Sequence, residues 1–301
     1  MGFADKEPAP EVPELKSILF ATDFSPASTA ATPYVAAVAR QYQAKVYLAH
    51  VIAPEPHPAG APDPAAGTLE QADRDAWQGL AELSKQFEGV LHEPLLGHGE
   101  VAATLGGMIR KHAIDLGVVG THGRRGFRRF LLGSVAEEIF RTLPRPVLTV
   151  GPRVSTQARQ EPVFRHVLYP TNLLEKPSDA ARYAVSLASQ YAARLTVLYV
   201  LEVLPEASTT DWQAKLVVRE FQEQMERLIP AAAKARFNAE YKVEFGEPVA
   251  TILRVAQEGS ADLIVLSVRK ADLLASHLSE NIAYRIATNA ECPVLTVPAG
   301  S

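Results

Sequence analysis

Apolar residues along this chain fall in short blocks whose period switches back and forth. Ile18–Ala21 is an unbroken apolar run and predicts a short strand. Ser28–Tyr42 carries apolar residues at helical spacing with alanine between them, and predicts a helix. Val46–Val51 predicts a second strand, and Pro54–Gly67, rich in Pro, Gly and Ala, predicts a loop. Glu70–Phe87 predicts a helix. Leu91–Leu96 predicts a third strand, although His92, Glu93 and Pro94 interrupt its pattern. Gly99-Glu100 opens a helix that runs to His112, Asp115–Val119 is a fourth strand, Gly133–Thr142 a further helix, and Val147–Val150 a fifth strand.

The same order then repeats. Ile18-Leu19-Phe20-Ala21-Thr22-Asp23 aligns with Val167-Leu168-Tyr169-Pro170-Thr171-Asn172, an offset of 149 that also places Tyr34 on Tyr183 and Tyr42 on Tyr191. Gly99-Glu100 aligns with Gly246-Glu247, and Asp115-Leu116 with Asp262-Leu263, at an offset of 147. The closing runs Pro146–Val150 and Pro293–Val297 keep that second offset. A repeat this long is a duplicated domain, since a solenoid repeats every few tens of residues. Strands alternating with helices imply crossover units and a parallel sheet covered on both faces. Apolar runs without strict alternation agree with two buried faces. The expected organisation is a leader at 1–13, a first domain at 14–152, a linker at 153–163 and a second domain at 164–299.

Composition narrows the function class. The 301 residues are 47% hydrophobic and 21% charged, with a formal net charge of -4. That is ordinary for a soluble globular chain and offers no basic surface for nucleic acid. No apolar run is long enough to span a bilayer, and the Pro- and Glu-rich start lacks the core of a signal peptide. The one cysteine, Cys292, reads as a buried structural thiol, and a chain with a single Cys fits a reducing cytoplasm. His92, His98 and His112 lack metal-ligand company, so no metal site is expected.

The chemistry concentrates after the fourth strand, in Gly120-Thr121-His122-Gly123-Arg124 and onward to Gly133-Ser134. Glycines let backbone N–H groups approach an anion, and a helix N-terminus adds unpaired donors. In an open parallel sheet a ligand sits beyond the carboxyl ends of the strands, at the point where strand order reverses. Asp23, just after the first strand, would then share a crevice with this cradle. A carboxylate beside a phosphate cradle is a nucleotide pattern. Asp23 could equally form an Asx turn or cap the first helix. Arg124, beside Gly123, is placed to neutralise phosphate, whereas Arg125, Arg128 and Arg129 read as solvated surface.

Together these residues resemble the universal stress protein family. Gly120-x-x-Gly123, nine residues, then Gly133-Ser134 is similar to that family's ATP-binding signature, and Thr22–Ser25, His50-Val51 and Pro146–Val150 resemble its other landmarks. The resemblance implies an α/β fold of two tandem Rossmann-like (adenine nucleotide alpha-hydrolase-like) domains, each a five-stranded parallel sheet of order 3-2-1-4-5. It implies that Asp23 and the Val51 backbone hold the adenosine end of ATP, with Ala21, Thr22, Arg124 and Val135 as further expected ATP contacts. It also implies that Gly120, Gly123, Gly133 and Ser134 hold ribose and phosphates; a Mg²⁺ accompanying the triphosphate would be held by phosphate oxygens and Ser134. The two halves would pair through Val147–Val150 and Val294–Val297, and a homodimer of the whole chain stays open.

The second copy departs from the signature. Gly120, Gly123, Gly133 and Ser134 become Ser267, Lys270, Glu280 and Asn281, and Asp23 becomes Asn172. Glu280 sets a carboxylate where phosphate would rest, so the second half is not expected to bind ATP in that manner. The reading is an ATP-binding stress-response regulator with no named catalytic residue. An interaction module with a vestigial site and a slow nucleotide hydrolase remain as alternatives. The signature does not separate ATP from ADP, AMP or cyclic AMP.

Overall fold

The computed structural model describes residues 15–54, 66–121, 145–155, 162–173, 179–202, 211–229, 239–268 and 281–299. The first half contains β1 (Ser17–Ala21), α1 (Pro26–Thr29), α2 (Thr32–Tyr42), β2 (Lys45–Ile52), α3 (Ala66–Ser84), β3 (His92–His98), α4 (Val101–Lys111), β4 (Leu116–Gly120) and β5 (Val147–Val150). The second contains β6 (His166–Thr171), α5 (Asp179–Gln190), β7 (Arg194–Leu201), α6 (Asp211–Leu228), β8 (Ala239–Phe245), α7 (Pro248–Glu258), β9 (Leu263–Val268), α8 (Ile282–Asn289) and β10 (Val294–Pro298).

All ten strands form one sheet of order β3-β2-β1-β4-β5-β10-β9-β6-β7-β8. Each half is parallel with the expected 3-2-1-4-5 order, and the halves join by an antiparallel β5–β10 pair in which Leu295 faces Leu148. This pairing leaves neither closing strand as an exposed edge. Both faces of the sheet are buried. Leu148, Leu295, Phe20 and Tyr169 enter one core, while Val147, Val294, Leu19 and Leu168 enter the other. Each core draws residues from both halves, which is why the strands read as unbroken apolar runs.

The duplication extends to backbone detail. Left-handed residues occur in aligned pairs: Phe24 with Leu173, Gln43 with Ala192, Gly99 with Gly246 and Ala113 with Ser260. Glu100 caps α4 by accepting the Ala102 and Ala103 N–H groups, and Glu247 caps α7 by accepting that of Ala250. Asp115, expected at the start of a strand, stands one residue before β4 and clamps β1 instead. Its Oδ2 accepts the N–H groups of Lys16 at 2.9 Å and Ser17 at 3.0 Å. Asp262 repeats this on Arg165 and His166, both at 2.9 Å. We expect Asp115→Ala or Asp262→Ala to cost about 2 kcal/mol in denaturant unfolding, because two backbone donors lose a charged acceptor. Asn at either site should recover part of that.

Some element boundaries differ from the sequence expectation. The helix expected over Ser28–Tyr42 is two helices, because Pro33 lies in the first turn of α2, a position it favours and from which it cannot continue α1. α3 starts at Ala66, inside the expected loop, and ends in a 3₁₀ turn at Lys85–Phe87. β3 runs to His98 despite Pro94, which an edge strand tolerates.

At the amino end of the second-half sheet, His166 is buried. Its Nδ1 lies 2.9 Å from the Gly259 carbonyl and its Nε2 2.8 Å from the Thr196 hydroxyl. Burial, aided by the Arg194 charge, holds the imidazole below its ordinary value of 6.5 against the pull of the Gly259 carbonyl. The unfolded chain therefore binds this proton more readily. The stability His166 contributes is complete above about pH 6.5 and is lost as pH falls from there through the lowered folded value. A His166→Gln variant should flatten that part of a stability–pH profile measured by urea unfolding.

Candidate functional site

The strand order reverses between β1 and β4, and the residues that follow these two strands meet at their carboxyl ends. Ala21 ends β1 in register with Ala49 and Val119. Thr22 is buried and makes four contacts that fix the turn. Its N–H donates to the Ala49 carbonyl at 2.9 Å, and its carbonyl lies 2.8 Å from His50 Nδ1. Its hydroxyl lies 2.9 Å from the Ser28 hydroxyl and accepts the Phe24 N–H at 2.9 Å. These bonds hold Phe24 at φ 60°, stacked on the His50 ring with 4.3 Å between centroids.

Asp23 sits at the apex of this turn. Its Oδ1 accepts the Ser25 N–H at 2.9 Å, so it does form an Asx turn, and Ser25 is the residue that caps α1. Burial pushes the Asp23 carboxyl up, but hydrogen bonds from the Ser25 hydroxyl and N–H and from the Ser28 hydroxyl outweigh it, leaving the value below the usual 3.8. The group is a half-buried carboxylate, held ionised by its neighbours. Structural and ligand-binding readings of Asp23 are thus compatible, since the turn fixes the carboxylate's place.

Gly120 ends β4 directly against α1. A Cβ there would stand 2.3 Å from the Ala27 carbonyl oxygen and 2.7 Å from Ser28 Cα. Its glycine is therefore required by helix packing, a role the sequence reading did not assign. Thr121, also missed, is buried and ties β4 to β5 by giving its N–H to the Val150 carbonyl at 3.1 Å and its hydroxyl to the same oxygen at 3.2 Å. Val51 lies near the end of β2, half-buried and paired with Gly97. The other expected residues, Gly123, Arg124, Gly133, Ser134 and Val135, lie outside the described residues.

Ser25 and Ser28 complete the turn. Ser25-Pro26 had the sequence signature of an N-cap followed by proline at the first helical position, which could have located α1. The second half repeats the turn's frame, with the Leu173 N–H donating to the Thr171 hydroxyl at 3.2 Å. There Asn281, aligned with Ser134, caps α8 itself and accepts the N–H groups of Ala283 at 2.9 Å and Tyr284 at 3.3 Å. Two of the N–H donors at that helix start are thus already engaged. Ser267 stands where the first half has Gly120. Cys292 is buried, and burial pushes its thiol up to about 12, so it is an inert packing group.

Among the described residues, no cluster of three His, Cys, Asp or Glu could hold a metal, and no helix is long and apolar enough to cross a membrane. A doubly wound parallel sheet with its turn-held carboxylate at the switch point places the chain among Rossmann-like α/β folds. Within that class, the profile of the universal stress protein family matches residues 14–151 and 164–298, and the chain belongs to this family as a tandem member. A universal stress protein of Methanocaldococcus jannaschii is 27% identical over 142 residues, 46% of this chain and 84% of its own length. One from Synechocystis is 30% identical over 141 residues, 45% of this chain and 87% of its own. Both alignments fit one copy of the duplicated unit. A universal stress protein structure from Archaeoglobus fulgidus superposes with a TM-score of 0.73 at 18% identity, covering 95% of this chain and 100% of that one, and shares the fold.

Proposed function

We propose that this chain is a stress-response regulator that holds one adenine nucleotide, ATP, in its first half, while the second half serves as a structural partner. The observation that carries this reading is the Asp23 carboxylate, fixed and ionised where strand order reverses. The described residues fit the adenosine end. Asp23 offers an acceptor for ribose or base donors, and Ala21, Thr22 and the Val51 backbone border it. Gly123, Arg124, Gly133, Ser134 and Val135, at signature spacing, are the groups assigned to ribose and phosphates. The self-capped α8 start and the loss of every cradle glycine support a silent second half.

When bound, the nucleotide supplies a triphosphate whose occupancy the fold can report. This chain's residues bind and orient it. No P-loop Lys-Ser/Thr sequence is present, so the proposed role is regulatory, with hydrolysis slow at most. Mg²⁺, if it accompanies the triphosphate, has only Ser134 proposed for it on the protein side. The proposed domain limits are 14–152 and 164–299, and the proposed compartment is the cytoplasm, which the single buried thiol supports.

Asp23→Asn tests the reading without removing the turn, because the amide oxygen still accepts the Ser25 N–H. We expect ATP affinity to fall about 10-fold or more in calorimetric titration, with an unchanged melting temperature for the empty protein. Equal affinity in the variant would sink the assignment of Asp23.

A further inference from the structure

Helix α3 carries a glycine, Gly79, well inside its length, where glycine is the least favourable residue after proline. Its packing gives the reason. A Cβ there would stand 2.9 Å from both Cε2 and Cζ of Phe24 and 3.0 Å from its Cε1. These atoms are the tip of the ring. Cζ lies on the axis about which the ring turns, so rotating the ring cannot clear it. Swinging the whole side chain away would break its stack on His50, 4.3 Å between centroids.

His50 in turn ties β2 to the turn after β1. Its Nδ1–H donates to the Thr22 carbonyl at 2.8 Å, since a carbonyl can only accept. The residue before it, Ala49, takes the Thr22 N–H. Asp23 therefore lies between two residues that β2 and α3 hold, Thr22 through His50, and Phe24 through His50 and Gly79. The left-handed backbone of Phe24, at φ 60°, is costly for a bulky residue, and these contacts help to maintain it.

The second half keeps the turn's backbone, with Leu173 at φ 58°, but links strand and helix differently. His50 aligns with Tyr199, Phe24 with Leu173 and Asp23 with Asn172. The Tyr199 ring stacks on Phe221 of α6 at 4.5 Å, which joins strand and helix directly. The histidine link and the carboxylate thus occur together, in the first half.

We propose that Phe24 and His50 are positioning residues through which the seat of α3 sets the place of the Asp23 carboxylate, and with it the affinity of the crevice for an adenine nucleotide. The identity of the ligand rests on the nucleotide reading above, and the link rests on the contacts just described. Gly79, Phe24, His50 and Thr22 stand in series, so a shift of α3 is felt at Asp23. Anything that moves α3 then changes nucleotide affinity from outside the crevice.

The test compares Gly79→Ala, His50→Phe and His50→Asn with the parent full chain, all shown folded by thermal melts. ATP, titrated calorimetrically, should bind about 5-fold more weakly to Gly79→Ala and to His50→Phe. His50→Asn keeps an N–H near the Nδ1 position and should stay close to the parent. A second readout uses the empty protein, where carbon NMR follows the titration of the Asp23 carboxyl. Its midpoint, below the usual 3.8 in the parent, should rise towards that value in Gly79→Ala and His50→Phe and stay low in His50→Asn. Gly79→Ala removes no charge, so a rise there reports a moved carboxylate. If Gly79→Ala does not fold, the two His50 variants decide. A parent that binds no ATP would contradict the nucleotide reading, and the Asp23 titration would then decide the link alone. An unmoved titration in a folded Gly79→Ala protein, or His50→Asn no better than His50→Phe, would overturn the proposal.

Discussion

Replacing Gly120 by alanine is expected to destabilise the protein by about 3 kcal/mol, with a larger loss for valine. The new Cβ would meet the Ala27 carbonyl oxygen at 2.3 Å and Ser28 Cα at 2.7 Å. Both are backbone atoms, so no side chain can rotate away. α1 would have to leave β4, and the Thr22–Ser28 hydroxyl contact would go with it. Urea unfolding measures the loss. A Gly120→Ala protein as stable as the parent would mean that α1 does not pack where it is described. The result also matters for ligand studies, because lost nucleotide binding in a Gly120 variant would report a displaced turn as much as a missing phosphate contact. Gly123 and Asp23 are the cleaner positions for that purpose.

Phe164→Ala should cost about 4 kcal/mol and should do so in both halves at once. The ring is almost fully buried between Tyr34 of the first half, at 6.1 Å, and Tyr191 of the second, at 5.0 Å. It belongs to a core that runs through Leu148 and Leu295 across the antiparallel pair. Gln41 adds a hydrogen bond from α2 to the Gln190 carbonyl at 2.9 Å. The chain has one tryptophan in each half, Trp77 and Trp212, so two single-tryptophan proteins can report the halves separately. We expect both reporters to move to the same lower denaturant midpoint in the Phe164→Ala background. A shift confined to one reporter would show two independent folding units that merely touch.

Most of the fold was legible because the strands inside the sheet are apolar runs buried on both faces and the longer helices have a 3.6-residue stripe. The duplication made the reading firmer, since Asp115 and Asp262, or Glu100 and Glu247, could be seen to recur before their clamping and capping roles were visible. What stayed hidden depends on contacts distant in sequence. The break between α1 and α2 follows from Pro33, a local signal outweighed by the helical spacing on either side of it. The packing role of Gly120 is invisible until α1 is placed against β4, some ninety residues away along the chain. His166 has no counterpart in the first half, where Ser17 stands, so the repeat gave no warning of it.

At the candidate site, sequence and structure divide the labour. Asp23, Thr22 and Gly120 were singled out from the sequence and converge at one end of β1 and β4. Ser25, Ser28 and His50, which hold Asp23 and Thr22 in place, show their roles only in three dimensions. Asn281 is the reverse case. Alignment marked it as a departure, and the structure shows its side chain engaging the Ala283 and Tyr284 N–H groups at the start of α8.

We propose an asymmetric tandem, with one nucleotide in the first half and none in the second. The most direct test is to denature the purified full chain, after saturation with ATP and removal of excess, and to quantify released nucleotide by chromatography. Close to one adenine nucleotide per chain is expected, lost in Gly123→Glu. Two per chain would contradict the silent second half, and none at millimolar ATP would contradict nucleotide binding itself.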